Sequence, residues 1–494
     1  MRNDPPPATL NTRPASETTT SRLTGNMGIT ELVLSVLAFS APIVTVSGFI
    51  AFTVIFSGTT SPVAFLTATV ALTIFAVGFT TMTKHIPRPG AFYAYVSTGL
   101  GKIVGLGGAY LAIVSYSMII TGLYSFTGIT MSALVQSFGG PETPWWVWSY
   151  TAFALVSVLG YFNIELSAKV LSVVMILEVV VVMTFNVATL SKGGAEGLSA
   201  APFNPVEFFS QSEVGVALLF AFLTFIGFEA TAMYRDEVKN PNKTVPRATY
   251  LAVVLIGLLY CLSCYALVSA YGSKAVDTAT NNPTGMFNDA LDRFVMPGFS
   301  NVALVLVASS CVAALISTHN VIARYLFNIG SDRALPPYLS KVHKRHHSPH
   351  LASITVSIVV ALALLSFVVA GTDPAQLYGQ MAGLGSTGVL VLMALVSLAV
   401  AVFFFRKGVP ASENIWKVFV APIVSFLALT AVVVFAIMRF ELVVGGEPGQ
   451  NLGLLYVLGA SLLLGILAAA YFRWAKPQIY QGLGRRDTGP VDLS

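Results

Sequence analysis

Long apolar runs recur along most of the chain, and the polar residues collect between them. The runs do not alternate apolar and polar at every second position, as the strands of a membrane barrel do. A run of roughly 20 apolar residues is long enough to cross a bilayer as a helix, and a helix satisfies its own backbone in lipid. The pattern predicts twelve helical spans, at about 29–56, 61–82, 102–137, 145–162, 168–190, 214–234, 250–269, 301–328, 351–370, 377–405, 419–440 and 452–472. Two of them are interrupted. The first contains Ser40-Ala41-Pro42, followed by Gly48, and the sixth contains Gly227 and Glu229. Proline removes a helical hydrogen bond and glycine tolerates non-helical backbone, so both spans are expected to break near their middle.

Composition agrees with an all-α polytopic membrane protein. The chain has 494 residues, 55% hydrophobic and only 10% charged, with a mean hydropathy of +0.77. A soluble chain carries about 25% charged residues. Cys261, Cys264 and Cys311 all fall inside apolar spans and read as small core residues, not as a disulfide or metal set. Neither a metal nor a cofactor is expected. Residues 1–27 are rich in Pro, Thr, Ser and Asn and read as a disordered tail without the apolar core of a signal peptide. The remaining organisation is expected to be 28–190, an outer loop 191–212, 213–406, 407–475 and a polar tail 476–494.

The net charge of +5 records topology more than partners. An even number of spans puts both ends of the helical region on one side. With that side inside, 23 of the 27 Lys and Arg residues are cytoplasmic, and only Lys192, Lys274, Arg293 and Arg439 lie outside. Cytoplasmic loops carry the excess of basic residues, so both termini are expected in the cytoplasm, in a multi-pass protein of the plasma or inner membrane.

Ionisable groups inside apolar spans point to function by default, because they are expensive in hydrocarbon. Glu229 sits beside Gly227 in the sixth span, and Glu178 lies among Val, Met, Ile and Leu in the fifth. Glu178 suits a proton carrier; a partner for a substrate ammonium and a helix-packing carboxylate are the other readings. Ser317 and Thr318 form a hydroxyl pair that could serve sodium, though such hydroxyls more often bond across helices. His319 reads as a packed polar residue. The charged stretch after the sixth span carries Asp236 and Glu237, which can pair with Arg235, Lys239, Lys84 or Arg88 as a cytoplasmic gate. The histidines near 343–350 lie in a basic loop without metal-like spacing, which argues against a membrane enzyme. No phosphate-binding glycine loop is present, which argues against direct ATP drive. A channel is expected to lack two interrupted helices around a closed site. No nucleic-acid partner is expected.

Three stretches carry a family resemblance. They are Phe225-Ile226-Gly227-Phe228-Glu229 with Glu237 and Lys239-Asn240-Pro241, then Pro89-Gly90-Ala91-Phe92-Tyr93-Ala94-Tyr95, and then Asn320 to Phe327 with Ser331-Asp332-Arg333-Ala334-Leu335-Pro336. Together they resemble the amino acid–polyamine–organocation superfamily of secondary transporters, over roughly residues 28–475. The resemblance implies a 5+5 inverted repeat, spans one to five and six to ten, with two added C-terminal helices. It implies a substrate held at the membrane midplane between the two broken helices. Its carboxylate side maps to Thr45, Val46, Ser47 and Gly48, and its ammonium side to Phe222, Leu223, Thr224, Phe225, Ile226 and Gly227. A bulky gate falls near Leu223 or Phe225. Where several proton-coupled relatives have a lysine in the fifth span, this chain has Glu178. The expectation is a permease for an amino acid, polyamine or other small amine, acting by alternating access in the lipid bilayer and coupled to protons. An exchanger and a sodium-coupled symporter are the alternatives.

Overall fold

A computed structural model describes residues 27–86, 92–162, 168–233, 238–343, 346, 348–444 and 452–484. Among these, the regular structure is helical throughout, and the only pairing of extended backbone is a single bridge between Met27 and Val238. Ten helices are long and apolar enough to cross a membrane. They are Pro42–Thr60, Pro62–Thr83, Lys102–Ser137, Ser172–Ser191, Pro241–Asn281, Phe299–Ser331, His350–Val369, Pro374–Lys407, Trp416–Met438 and Gly453–Ala475. Two further expected spans take other forms. Trp145–Phe162 is a helix of 18 residues that does not join the ten, and the sixth expected span is divided into Val214–Leu223 and Ala230–Met233.

Local signals explain several boundaries. Proline opens Pro62–Thr83 and Pro374–Lys407, where its missing N–H would find no helical partner anyway. The Asp373 side chain accepts the Gln376 N–H and caps the second of these helices. Lys102–Ser137 has 36 residues, about 54 Å at the usual helical rise. That exceeds the roughly 30 Å of hydrocarbon in a bilayer, so this helix is expected to tilt.

Small residues let the long helices approach closely. A Cβ on Gly122 of Lys102–Ser137 would sit 3.1 Å from the Tyr378 carbonyl oxygen of Pro374–Lys407. A Cβ on Gly465 would sit 2.6 Å from the carbonyl oxygen of Leu106. Hydroxyls tie helices together as well: Ser149 donates to the Tyr124 carbonyl at 2.7 Å, and Ser125 to the Pro374 carbonyl at 2.6 Å. On the outside, Ile358, Val359, Leu362 and Leu365 of one helix and Leu463, Leu464 and Leu467 of another are exposed. Apolar surface of this extent on spanning helices fits lipid and not water. The protein is a multi-pass integral membrane protein.

Candidate functional site

The first interrupted span breaks at Ala41. Helix Ile29–Ser40 ends there, and Ala41 takes φ 44°, a left-handed conformation unusual for a residue with a side chain. The chain restarts as a helix at Pro42, and Thr45–Phe49 forms a π-helical turn. Such turns collect at functional places in helices. Thr45, Val46, Ser47 and Gly48, the residues matched to a substrate carboxylate, therefore lie within this turn, just beyond the break. The freed backbone belongs to their neighbours. The Ser40 carbonyl accepts hydroxyls from Tyr260 and Thr45, both at 3.3 Å. The Ile43 N–H donates to Oε2 of Glu178 at 3.4 Å. Glu178 also bonds Ser310 and is buried. The fifth expected span thus delivers its carboxylate to the break in the first.

The second break runs from Thr224 to Glu229. Phe222 and Leu223 end the first half-helix, and Thr224, Phe225, Ile226 and Gly227 follow in tighter turns. Phe225 N–H donates to the Phe222 carbonyl at 3.1 Å, and Ile226 N–H to that of Leu223 at 3.0 Å. Gly227 has φ 115°, a region side chains rarely enter, which is why glycine stands here. Its N–H donates to Oε2 of Glu229 at 2.8 Å, and the Tyr116 hydroxyl donates to Oε1 at 2.8 Å. Both bonds lie within the ordinary range of well-formed hydrogen bonds.

Tyr260 joins the two breaks. Its hydroxyl holds Ser40, and its ring meets Phe225 edge-on with centroids 6.3 Å apart. The half-helix Val214–Leu223 continues the contact through Phe220, stacked on Phe52 and Phe56. Leu223 and Phe225 are both buried. Tyr378 lies against Gly48: a Cβ there would meet its hydroxyl oxygen at 2.6 Å. Its ring packs on Phe49 and Phe126, with centroids 4.7 and 4.6 Å away. Ser47 Oγ and Tyr378 Oη are buried without a hydrogen-bond partner. Tyr378 escaped the sequence reading because a lone tyrosine near the start of an apolar run looks like an interfacial anchor.

Other residues singled out in the sequence take local roles or fall outside the description. Thr318 bonds the Ala314 carbonyl of its own helix at 2.8 Å, and His319 bonds Ser353 at 2.8 Å. Asp236, Glu237, Arg235 and Arg88 lie outside the described residues. Lys84 pairs with Glu413 at 2.9 Å, a partner the sequence reading did not name. Nearby, Lys239 N–H donates to the Met27 carbonyl at 3.0 Å, strapping the loop after the second break to the start of the first helix. A cavity of about 440 Å³ opens beside His85, Thr98, Phe403, Phe404 and Lys407, and no residue of either break lines it. Cys261, Cys264 and Cys311 are free and buried, and no group suited to a metal ion occurs among the described residues.

Comparison with known proteins fits this arrangement. The model of the amino acid permease family matches residues 31–479. Branched-chain amino acid permease BcaP of Bacillus subtilis (strain 168) is 24% identical, covering 74% of this chain and 78% of that protein. Cationic amino acid transporter 7, chloroplastic, of Arabidopsis thaliana is 24% identical, over 86% of this chain and 71% of its own length. Low-affinity putrescine importer PlaP of Escherichia coli (strain K12) is 23% identical, over 70% of this chain and 74% of its own. With two interrupted helices meeting at a buried polar centre and a family match across nearly all its length, the chain belongs to the amino acid permease family, whose members are membrane transporters and not enzymes.

Proposed function

We propose that the protein is a secondary active transporter that moves amino acids or related amines by alternating access, with Glu178 linking transport to protons. The observation that carries this reading is the Glu178 carboxylate at the Ile43 N–H. A buried acid on one helix, held at the break of another, can change its protonation as the helices separate, and so tie a proton to the movement. The names of the relatives support the substrate range, since they include amino acid permeases and a putrescine importer.

In this reading spans one to five and six to ten form a 5+5 inverted repeat with two added helices, twelve in all. The ten long helices, Trp145–Phe162 and the divided sixth span support that count. The repeats correspond to 28–190 and 213–406. The excess of basic residues on one side supports cytoplasmic termini and a plasma or inner membrane. The substrate lies between Thr45–Gly48 and Phe222–Gly227. Glu229 fixes the second break, and Asp236 and Glu237 belong to the cytoplasmic gate.

The test is transport by the full-length protein in proteoliposomes. Saturable uptake, counterflow of a preloaded substrate, and accumulation under an imposed pH gradient are expected. Glu178→Gln is expected to lose the gradient-driven accumulation. Conduction without saturation or counterflow would contradict the transporter reading. Accumulation that follows sodium and ignores pH would contradict the proton link.

A further inference from the structure

We propose that residues 477–484 form a cytoplasmic strap that restrains helix Phe92–Gly99, and through it the second break, so that the docked strap holds the cytoplasmic side of the transporter closed. The proposal rests on the transporter reading above and adds a regulatory element to it. It starts from two sequence stretches that the site leaves unused, the one carrying Tyr93 and the one carrying Asp332. The fold brings them together. The Tyr93 hydroxyl donates to Oδ2 of Asp332 at 3.0 Å. The Gly484 N–H donates to the same oxygen, also at 3.0 Å. One carboxylate thus ties helix Phe92–Gly99, the end of Phe299–Ser331 and the C-terminal segment at a single point.

The segment is docked by more than this bond. After the last spanning helix comes the short helix Pro477–Gly482. Lys102 Nζ donates to the carbonyls of Tyr480 and Gln481, at 3.1 and 2.6 Å, and lies 5.6 Å from the centre of the Tyr480 ring. A cation suits the last carbonyls of a helix, which have no partner within it. Leu483 is 1% exposed, in a cluster with Leu106, Ala109, Ile329, Ala334 and Ala469 that stands apart from the main core. Gln478 and Gln481 are exposed, so Leu483 is the apolar anchor of an otherwise polar segment. Gly484 has φ 67°, a left-handed conformation that glycine adopts without steric cost. The family match ends at residue 479, so Leu483 and Gly484 lie outside the part of the chain that the family model covers.

Helix Phe92–Gly99 carries the restraint to the second break. Tyr93 and Tyr95 stand two residues apart on it and face different ways. Tyr93 meets Asp332. The Tyr95 ring stacks on Phe79 with centroids 4.6 Å apart, and Phe79 meets Phe228 at 6.3 Å. Phe228 is buried and stands between Gly227 and Glu229. The tail and the second break are therefore joined through one short helix and two phenylalanine rings. Past that break, the Lys239 N–H holds the Met27 carbonyl at 3.0 Å and closes the loop against the start of the first helix. Contacts that exist in only one arrangement of the helices favour that arrangement over the others. Undocking the strap removes its bonds to Asp332 and Lys102 and exposes Leu483. It also loosens the hold on Tyr93, and with it the support that Tyr95 gives to Phe79 and Phe228.

The experiment is hydrogen exchange, read peptide by peptide, on the purified full-length protein in lipid nanodiscs and without substrate. Wild type is compared with Leu483→Asp and Gly484→Ala. In wild type the N–H groups of Leu483 and Gly484 are expected to be protected, since both are bonded. Leu483→Asp is expected to speed exchange there by about tenfold or more, and to speed it severalfold in Phe92–Gly99, in 225–231 and at Lys239. Helix His350–Val369, outside this set of contacts, should keep its wild-type rate. Gly484→Ala decides the matter if Leu483→Asp does not fold. Its Cβ would lie 3.7 Å from the nearest atom, an ordinary contact, so it acts through the left-handed backbone alone, and the same regions should exchange severalfold faster. Unprotected N–H groups at Leu483 and Gly484 in wild type would overturn the proposal and leave the transporter reading intact. So would a strap that loosens while Phe92–Gly99, 225–231 and Lys239 keep their wild-type rates. Wild-type proteoliposomes without saturable uptake or counterflow, alongside the expected exchange pattern, would overturn the transporter reading instead.

Discussion

The two helix breaks solve one problem in different ways. Each frees a backbone N–H inside the membrane, and each meets it with a glutamate. At the second break the glutamate is local, two residues past Gly227, and a hydroxyl from Tyr116 anchors it at 2.8 Å. At the first break the glutamate comes from a helix 135 residues away, and the bond is 3.4 Å long. In the second arrangement the Gly227 bond lies within one chain segment, and only the Tyr116 bond crosses to another helix. The first separates whenever the two helices part. We read the second break as a fixed support and the first as the element that changes.

The largest effect on stability is expected at the support. Glu229→Gln places an amide where a carboxylate accepts two donors, and hydrogen bonds to charged groups contribute about 1.5–3 kcal/mol each. A loss of about 3 kcal/mol and a clear fall in melting temperature are expected, with uptake abolished at equal membrane insertion. Wild-type melting and uptake would remove Glu229 from the site. Gly227→Ala comes next, since a side chain at φ 115° costs of order 1–3 kcal/mol. Tyr116→Phe removes a single donor and should cost about 1–2 kcal/mol. A larger loss than from Glu229→Gln would mean that the tyrosine, and not the carboxylate, holds the break.

At the first break the order of effects reverses. Glu178→Gln should change melting by about 1 kcal/mol or less, because the bond it alters is long, yet transport should be lost. Ala41→Gly is the smallest change. It relieves about 1–2 kcal/mol of left-handed strain and adds about 0.4–1 kcal/mol of chain entropy to the unfolded state. The buried Ala41 methyl is also lost, about 0.8 kcal/mol, so the net effect should lie within about 1 kcal/mol of zero. A strong destabilisation would mean that the Ala41 methyl contributes far more than its burial suggests.

Much of this was legible in the sequence because apolar runs are long and breaks need particular residues. Gly227 with Glu229 and Ala41-Pro42 within apolar stretches announced both interruptions. The partners across helices were not legible. Nothing in the sequence ties Glu178 to Ile43, Tyr260 to Ser40, or Lys84 to Glu413, because each pair is set by how the helices pack and not by local pattern. The displacement between Thr45–Gly48 and the true break has a similar cause. A proline and a glycine bracket the region, but only the backbone decides that Ala41 carries the left-handed turn.

The most direct measurement is accumulation of labelled substrate in proteoliposomes under an imposed pH gradient of either polarity, with wild type, Glu178→Gln and Glu229→Gln at equal insertion. Wild type should accumulate substrate in step with the gradient. Glu178→Gln should melt nearly as wild type and accumulate nothing, and Glu229→Gln should lose both stability and transport. Gradient-driven accumulation retained by Glu178→Gln, or accumulation in wild type that follows sodium and ignores pH, would contradict the account.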